Sequence, residues 1–148
     1  APFAIGAMLG GASSKDVAIF NLFGKSLGLA FQMVDDVLGI WGDTEVTGKP
    51  VGDDLRTLKM TFPIIYARDH ESSAGREFRT AYKKLPATDM EVAHLTELLT
   101  ATGAKEETEK EARRQIDIGN QLLASLSFVP SSESYIEEFS SLLIGRAF

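Results

Sequence analysis

From Lys15 to Trp41 the chain carries a long helical pattern that is apolar around most of its circumference yet keeps two adjacent acids, Asp35 and Asp36. With Gln32 as reference and 100° per residue, Asn21, Lys25, Gly28, Asp35, Asp36 and Gly39 all fall within about 60° of it, on one narrow stripe. The flanks are large and apolar, among them Phe20, Leu22, Phe23, Leu27, Leu29, Phe31, Met33, Val34, Val37, Leu38 and Ile40, so the helix is expected to be buried on most sides. A merely solvated face would spread its polar residues over a wider arc. Ionised carboxylates beside hydrocarbon need a compensating positive charge. Lys49 and Lys59 follow in a glycine-containing loop, so the pattern points to a divalent cation holding a phosphorylated ligand.

A helix of this kind must be covered by other elements, and the rest of the chain supplies helices. Apolar residues recur at three and four positions, separated by Gly, Pro and Ser/Thr signals, and no segment alternates as a strand would. The expectation is an all-α fold. A first helix runs to about Leu9 and stops at Gly10 and Gly11. Ser13 or Ser14 caps the long one, which Gly42 ends. Asp43 to Leu58 is too polar and too interrupted by Gly48, Pro50 and Gly52 to be an element. Thr61 and Pro63 start a helix through about His70. A short one follows from about Ala74 to Leu85, and Thr88 with Glu91 forms a capping box for Asp89 to Thr102. A helix from about Lys105 to Ser127 begins as an exposed charged face and turns inward, and a last helix, capped by Ser131 or Ser132, runs to Leu143.

The 148 residues suffice for one domain with a core, and nothing divides them into two. A net charge of -6 disfavours nucleic acid and anionic membrane surfaces as partners. The absence of cysteine excludes disulfides and thiolate chemistry and suits a reducing compartment, so a cytoplasmic location is expected. Gln32, Asp35 and Asp36 interrupt the most apolar run, and no membrane span is expected. The opening APFAIGAMLGGA presents Phe3, Ile5, Met8 and Leu9 without a preceding Met, as a helix cut from a longer protein would.

Hard divalent ions take oxygen ligands, and Mg²⁺ characteristically uses one or two carboxylates while retaining waters and phosphate oxygens. Asp35 and Asp36, opposite Lys49 and Lys59, provide that set, which would neutralise a diphosphate leaving group. His70 and His94 lack any surrounding ligand pattern, and Trp41 and Tyr66 read as packing residues.

The run FQMVDDVLGIWGD, then GKPVGDDL, then LKMTFPIIYA, covering Phe31 to Ala67, resembles the second aspartate-rich region of the trans-isoprenyl diphosphate synthases, the polyprenyl synthetase family, whose usual pattern is FQxxDDxLDxxGD, GKPxGxDL and GKxTLPxxxA. The upstream IGAMLGG is similar to the helix that precedes this motif. The resemblance implies the C-terminal part of an isoprenoid synthase type I helical bundle and a Mg²⁺-dependent condensation of an allylic diphosphate with isopentenyl diphosphate. It implies that Asp35 binds Mg²⁺, that Asp36 stands beside it through a metal-bound water, and that Asp54 lies near the metal waters. Lys49 and Lys59 would hold the allylic diphosphate, with Gln32 near that substrate and Phe31 in its pocket. Catalysis would rest on Asp35, Lys49 and Lys59, in a homodimer.

Two features depart from the family pattern. Gly39 stands where the third acid of DDxxD is usual, a form shared by some bacterial members, and the first aspartate-rich motif is missing from this sequence. The chain therefore resembles the C-terminal half of such an enzyme and is expected to be inactive alone. Gly39 keeps open a second reading, a non-catalytic regulatory subunit of a prenyl synthase. A Mg²⁺-dependent terpene cyclase of similar fold is a third, against which GKPxGxDL and KxTxP speak. An intact or degraded first aspartate-rich motif upstream separates them.

Overall fold

Glycine, proline and hydroxyl side chains punctuate the chain where the sequence places them. The computed structural model describes residues 1–43, 48, 50–127, 134, 135 and 138. Among them are α1 (Pro2–Leu9), α2 (Ser14–Trp41), α3 (Asp53–Arg56), α4 (Phe62–Asp69), α5 (Ser73–Ala81), α6 (Asp89–Ala101) and α7 (Ala104–Leu123), and no strand. The Ser13 hydroxyl caps α2 by accepting the Asp16 amide at 3.2 Å, and it donates to the Asp16 carboxylate at 2.7 Å. Thr88 and Glu91 close the expected capping box on α6. The expected last helix, from Ser131 or Ser132 to Leu143, lies almost wholly outside the described residues.

Three boundaries differ from expectation, and one of them is that α7 ends at Leu123, ahead of Ser127. The segment from Asp43 to Leu58 contains the short helix α3, made possible by Gly52, whose φ of 72° turns the chain so that its carbonyl accepts the Leu55 and Arg56 amides. The helix α5 stops at Ala81, ahead of Leu85, which is exposed and is followed by Pro86, a residue that cannot continue a helix.

The chain forms two compact units, Met33–Lys110 and Ala1–Gln32 with the residues from Glu111 on. In the first, α4, α5 and α6 pack pairwise, and α3 lies against α6. Ile40 from α2, Leu55 from α3, Ile64 from α4, Phe78 from α5 and Leu99 from α6 are completely buried together. Trp41 packs at the edge of this core and donates its indole N–H to the Thr100 hydroxyl at 3.0 Å. In the second, Phe3 of α1 meets Phe23 edge-on at 4.9 Å, and Gly119 of α7 lies against the same ring.

The expectation that α2 is buried on most sides holds for Phe23, Leu27, Ala30, Met33, Val34, Val37 and Ile40, but Leu22 and Leu29 are exposed, as are Ile5, Met8 and Leu9 of α1. The expectation that no stretch is long and apolar enough for a membrane span is also revised. By length and composition alone α2 qualifies, since a spanning window tolerates the few charges it holds, although the core helix of a soluble bundle passes the same test.

Candidate metal and anion site

The two acids of α2 have different surroundings. Asp35 is exposed, while Asp36 is buried and its Oδ2 accepts the Phe62 amide at 3.2 Å. Phe62 is the first residue of α4, where a backbone N–H has no intrahelical acceptor and the helix dipole favours negative charge. Asp36 thus ties the start of α4 to α2. The helical stripe reflects the periodicity of α2 alone and cannot reveal this second partner.

Asp54 in α3 is as buried as Asp36, 5% exposed, and it forms an ion pair with Lys59. The connection between them is a tight turn. The Lys59 amide returns to the Asp54 carbonyl at 3.1 Å, and Leu58 between them takes a φ of 50°, a left-handed conformation that is costly for a leucine. A third element fixes this turn: the Tyr82 hydroxyl, just past α5, donates to the Lys59 carbonyl at 2.9 Å and lies 3.4 Å from the Asp54 carbonyl. The Tyr82 ring stacks on Phe78, with centroids 5.0 Å apart and planes at 18°.

Asp54 pairs with the half-exposed Lys59 ammonium. Its hydrogen bond to Asp54 holds its pKa above the ordinary lysine value against the opposing effect of burial, and the charges of Asp54, Asp53 and Asp35 add in the same direction. Asp35, Asp53, Asp54 and Lys59 therefore belong to one electrostatic neighbourhood. No three acids or histidines among the described residues converge into a ready ligand set. The exposed Asp35 and the buried Asp54 offer oxygen donors of the kind hard divalent ions take. A corner that already holds the cationic end of Lys59 beside a buried carboxylate has the donor chemistry a cation needs.

Of the other expected site residues, Lys49 lies outside the described residues. Phe31 is half-buried and Gln32 exposed on the part of α2 that belongs to the other unit. His70 accompanies Ser72 at the start of α5, with Nδ1 and Oγ 2.9 Å apart, and His94 pairs with Glu77 at 3.1 Å. Sequence reasoning missed Tyr82. Its contact spans 23 residues and leaves no local pattern.

A family model described as Polyprenyl synthetase matches residues 1–99. The chain is 34% identical over 146 residues to a (2E,6E)-farnesyl diphosphate synthase of Mycobacterium tuberculosis, covering 96% of this chain and 41% of that protein. It is 44% identical over 101 residues to a geranylgeranyl diphosphate synthase of the same species, covering 68% of this chain and 29% of that one. Among solved structures, a polyprenyl synthetase from Streptomyces coelicolor superimposes with a TM-score of 0.88 at 32% identity, over 98% of this chain and 44% of that chain. A geranylgeranyl pyrophosphate synthase from Corynebacterium glutamicum, complexed with calcium and isoprenyl diphosphate, gives 0.84 at 28%, over 97% and 44%. The chain thus spans less than half the length of these relatives, and its fold is that of the all-α isoprenoid synthases.

Proposed function

The chain belongs to the polyprenyl synthetase family, and from that premise we propose that it supplies the diphosphate-binding half of a Mg²⁺-dependent prenyltransferase. The observation that carries this reading is the buried Asp54 paired with Lys59, in the same sequence motif as the Asp35–Asp36 pair, within the segment Phe31 to Ala67 that bears the family pattern. Bound there, Mg²⁺ would supply the positive charge that stabilises departing diphosphate. Asp35 would be its carboxylate ligand, with Asp36 and Asp54 beside the metal waters. Lys59 and Lys49 would hold the diphosphate oxygens of the allylic substrate, with Gln32 and Phe31 along its chain.

In this reading the allylic C1–O bond breaks, the electron pair leaves with diphosphate, and the allylic cation is attacked by the double bond of isopentenyl diphosphate. A new carbon–carbon bond forms, and loss of one proton restores a double bond in the longer polyprenyl diphosphate. Asp35, Lys49 and Lys59 would bind and orient the leaving group. The groups that receive isopentenyl diphosphate would lie on the remainder of a longer protein, which acts as a homodimer in the cytoplasm.

A condensation assay with Mg²⁺, an allylic diphosphate and labelled isopentenyl diphosphate tests this. The protein as its gene encodes it should form product, and residues 1 to 148 alone should not. Turnover by residues 1 to 148 would overturn the half-site reading, and absence of product from the complete protein would overturn the activity.

A further inference from the structure

Asp54 and Lys59 stand at the two ends of one tight turn, which pins the backbone of both and leaves the lysine side chain free beyond it. The Lys59 amide donates to the Asp54 carbonyl at 3.1 Å, the Tyr82 hydroxyl donates to the Lys59 carbonyl at 2.9 Å, and Leu55 is completely buried in the core. On this anchored backbone the Lys59 side chain is 48% exposed, whereas that of Asp54 is 7% exposed. The pair is therefore unequal. The ammonium, on a flexible four-carbon stem, can turn to water, and the carboxylate cannot.

Asp54 also lies against α2. The point where a Cβ would stand on Gly39 is 2.6 Å from Asp54 Oδ2 and 3.0 Å from Oδ1. Gly39 follows Asp35 on the same face of α2 by one helical turn, about 6 Å along the axis. The acid that holds Lys59 thus stands about a turn away from the exposed acid that the site reading gives to Mg²⁺.

A buried carboxylate left without a positive partner is strongly destabilising. Lys59 compensates Asp54 in this structure, so it can leave for a phosphate only when another cation takes its place. A cation can approach Asp54 only in competition with Lys59. We infer that the Asp54–Lys59 pair is a latch that couples the two ligands of the site: Lys59 neutralises Asp54 before ligands bind, and exchanges that carboxylate for diphosphate oxygen as hydrated metal arrives beside Asp54. This rests on the site reading above, to which it adds that Lys59 serves Asp54 and the diphosphate in turn. Lys59 opposes metal that comes alone, and Asp54 opposes diphosphate that comes alone. Each ligand therefore relieves the competition that the other meets, and the coupling is reciprocal.

Calorimetry on the complete protein tests the latch with one ligand at a time. With magnesium chloride as the probe and diphosphate absent, Lys59→Met should tighten binding about tenfold, and in the Asp54→Asn background the same change should alter it by less than about twofold. Unchanged or weakened binding in Lys59→Met would overturn the latch. A tightening that persists undiminished in the Asp54→Asn background would overturn it too, since long-range charge alone produces that result. Lys59→Met leaves a buried charge unpaired, so a second arm uses Asp54→Asn, which keeps the side-chain shape and releases Lys59. Inorganic diphosphate, with a chelator present to remove metal, should bind Asp54→Asn about tenfold tighter than the unaltered protein. Asp53→Asn removes the same charge one residue from the pair and should change that affinity by less than about twofold. No gain in Asp54→Asn, or an equal gain in Asp53→Asn, would overturn the latch whether or not Lys59→Met folds. Failure of the prenyl-transfer reading would show separately, as lack of product from the unaltered protein.

Discussion

Tyr82→Phe deletes one oxygen from the turn that carries Lys59 while leaving the rest of the side chain in place. The ring would still stack on Phe78, so the loss is confined to the hydroxyl that donates to the Lys59 carbonyl at 2.9 Å. A neutral hydrogen bond contributes a net stabilisation of about 0.5–1.5 kcal/mol, and Lys59 is exposed enough for water to take the vacated place, so the expected cost is about 1 kcal/mol at pH 7. The pH dependence gives a second handle. Burial first, and then the charge of Asp54, push the Tyr82 phenol above its ordinary value of 10. A folded-state pKa raised above the unfolded one gives stability that is complete below about pH 10 and lost as pH rises beyond it. The gap between wild type and Tyr82→Phe should therefore narrow above about pH 10. Urea unfolding at about pH 7 and about pH 10.5 measures both quantities. Equal midpoints at neutral pH, or a gap that widens with alkalinity, would refute the role of Tyr82 in holding this turn.

Thr88→Ala should destabilise the protein by about 1 kcal/mol, because Thr88 Oγ1 accepts the Glu91 amide at 3.2 Å at the head of α6; thermal melts check this. The Glu91 carboxyl is held below its ordinary range by the Ala87 amide and then the Thr88 amide, so its contribution is present above about pH 4.5 and fades as acid protonates it; Glu91→Gln should flatten that acid loss in a pH series of melts. Phe78→Ala should cost about 3–5 kcal/mol, since the side chain is completely buried between α4 and α6, and a loss below about 1 kcal/mol in urea titrations would show that the core closes around the gap.

Much of this organisation is legible along the chain because it is local. Helix starts announce themselves through Ser13, Pro63 and the Thr88–Glu91 box, whose partners lie within a turn. The polar stripe of α2 is legible for the same reason, and Asn21, Lys25, Gly28, Gln32 and Asp35 are indeed exposed. Asp36 departs from it because its partner is an amide 26 residues away, which makes an expected ligand neighbour an anchor for α4. Gly39 is visible in the sequence only as a departure from a family pattern, and its contact with Asp54 is a tertiary fact that no periodicity encodes. Tyr82 is invisible for that reason too. The short helix α3 escapes because four residues carry too little periodicity to separate from a loop.

The most direct test of the account is Asp35→Ala in the complete protein, assayed for Mg²⁺-dependent formation of polyprenyl diphosphate beside circular dichroism. Asp35 is exposed, so its removal should leave helix content and Tm essentially unchanged while turnover falls by about two orders of magnitude or more. Turnover retained at the wild-type level with an intact fold would contradict the assignment of this corner to metal and diphosphate.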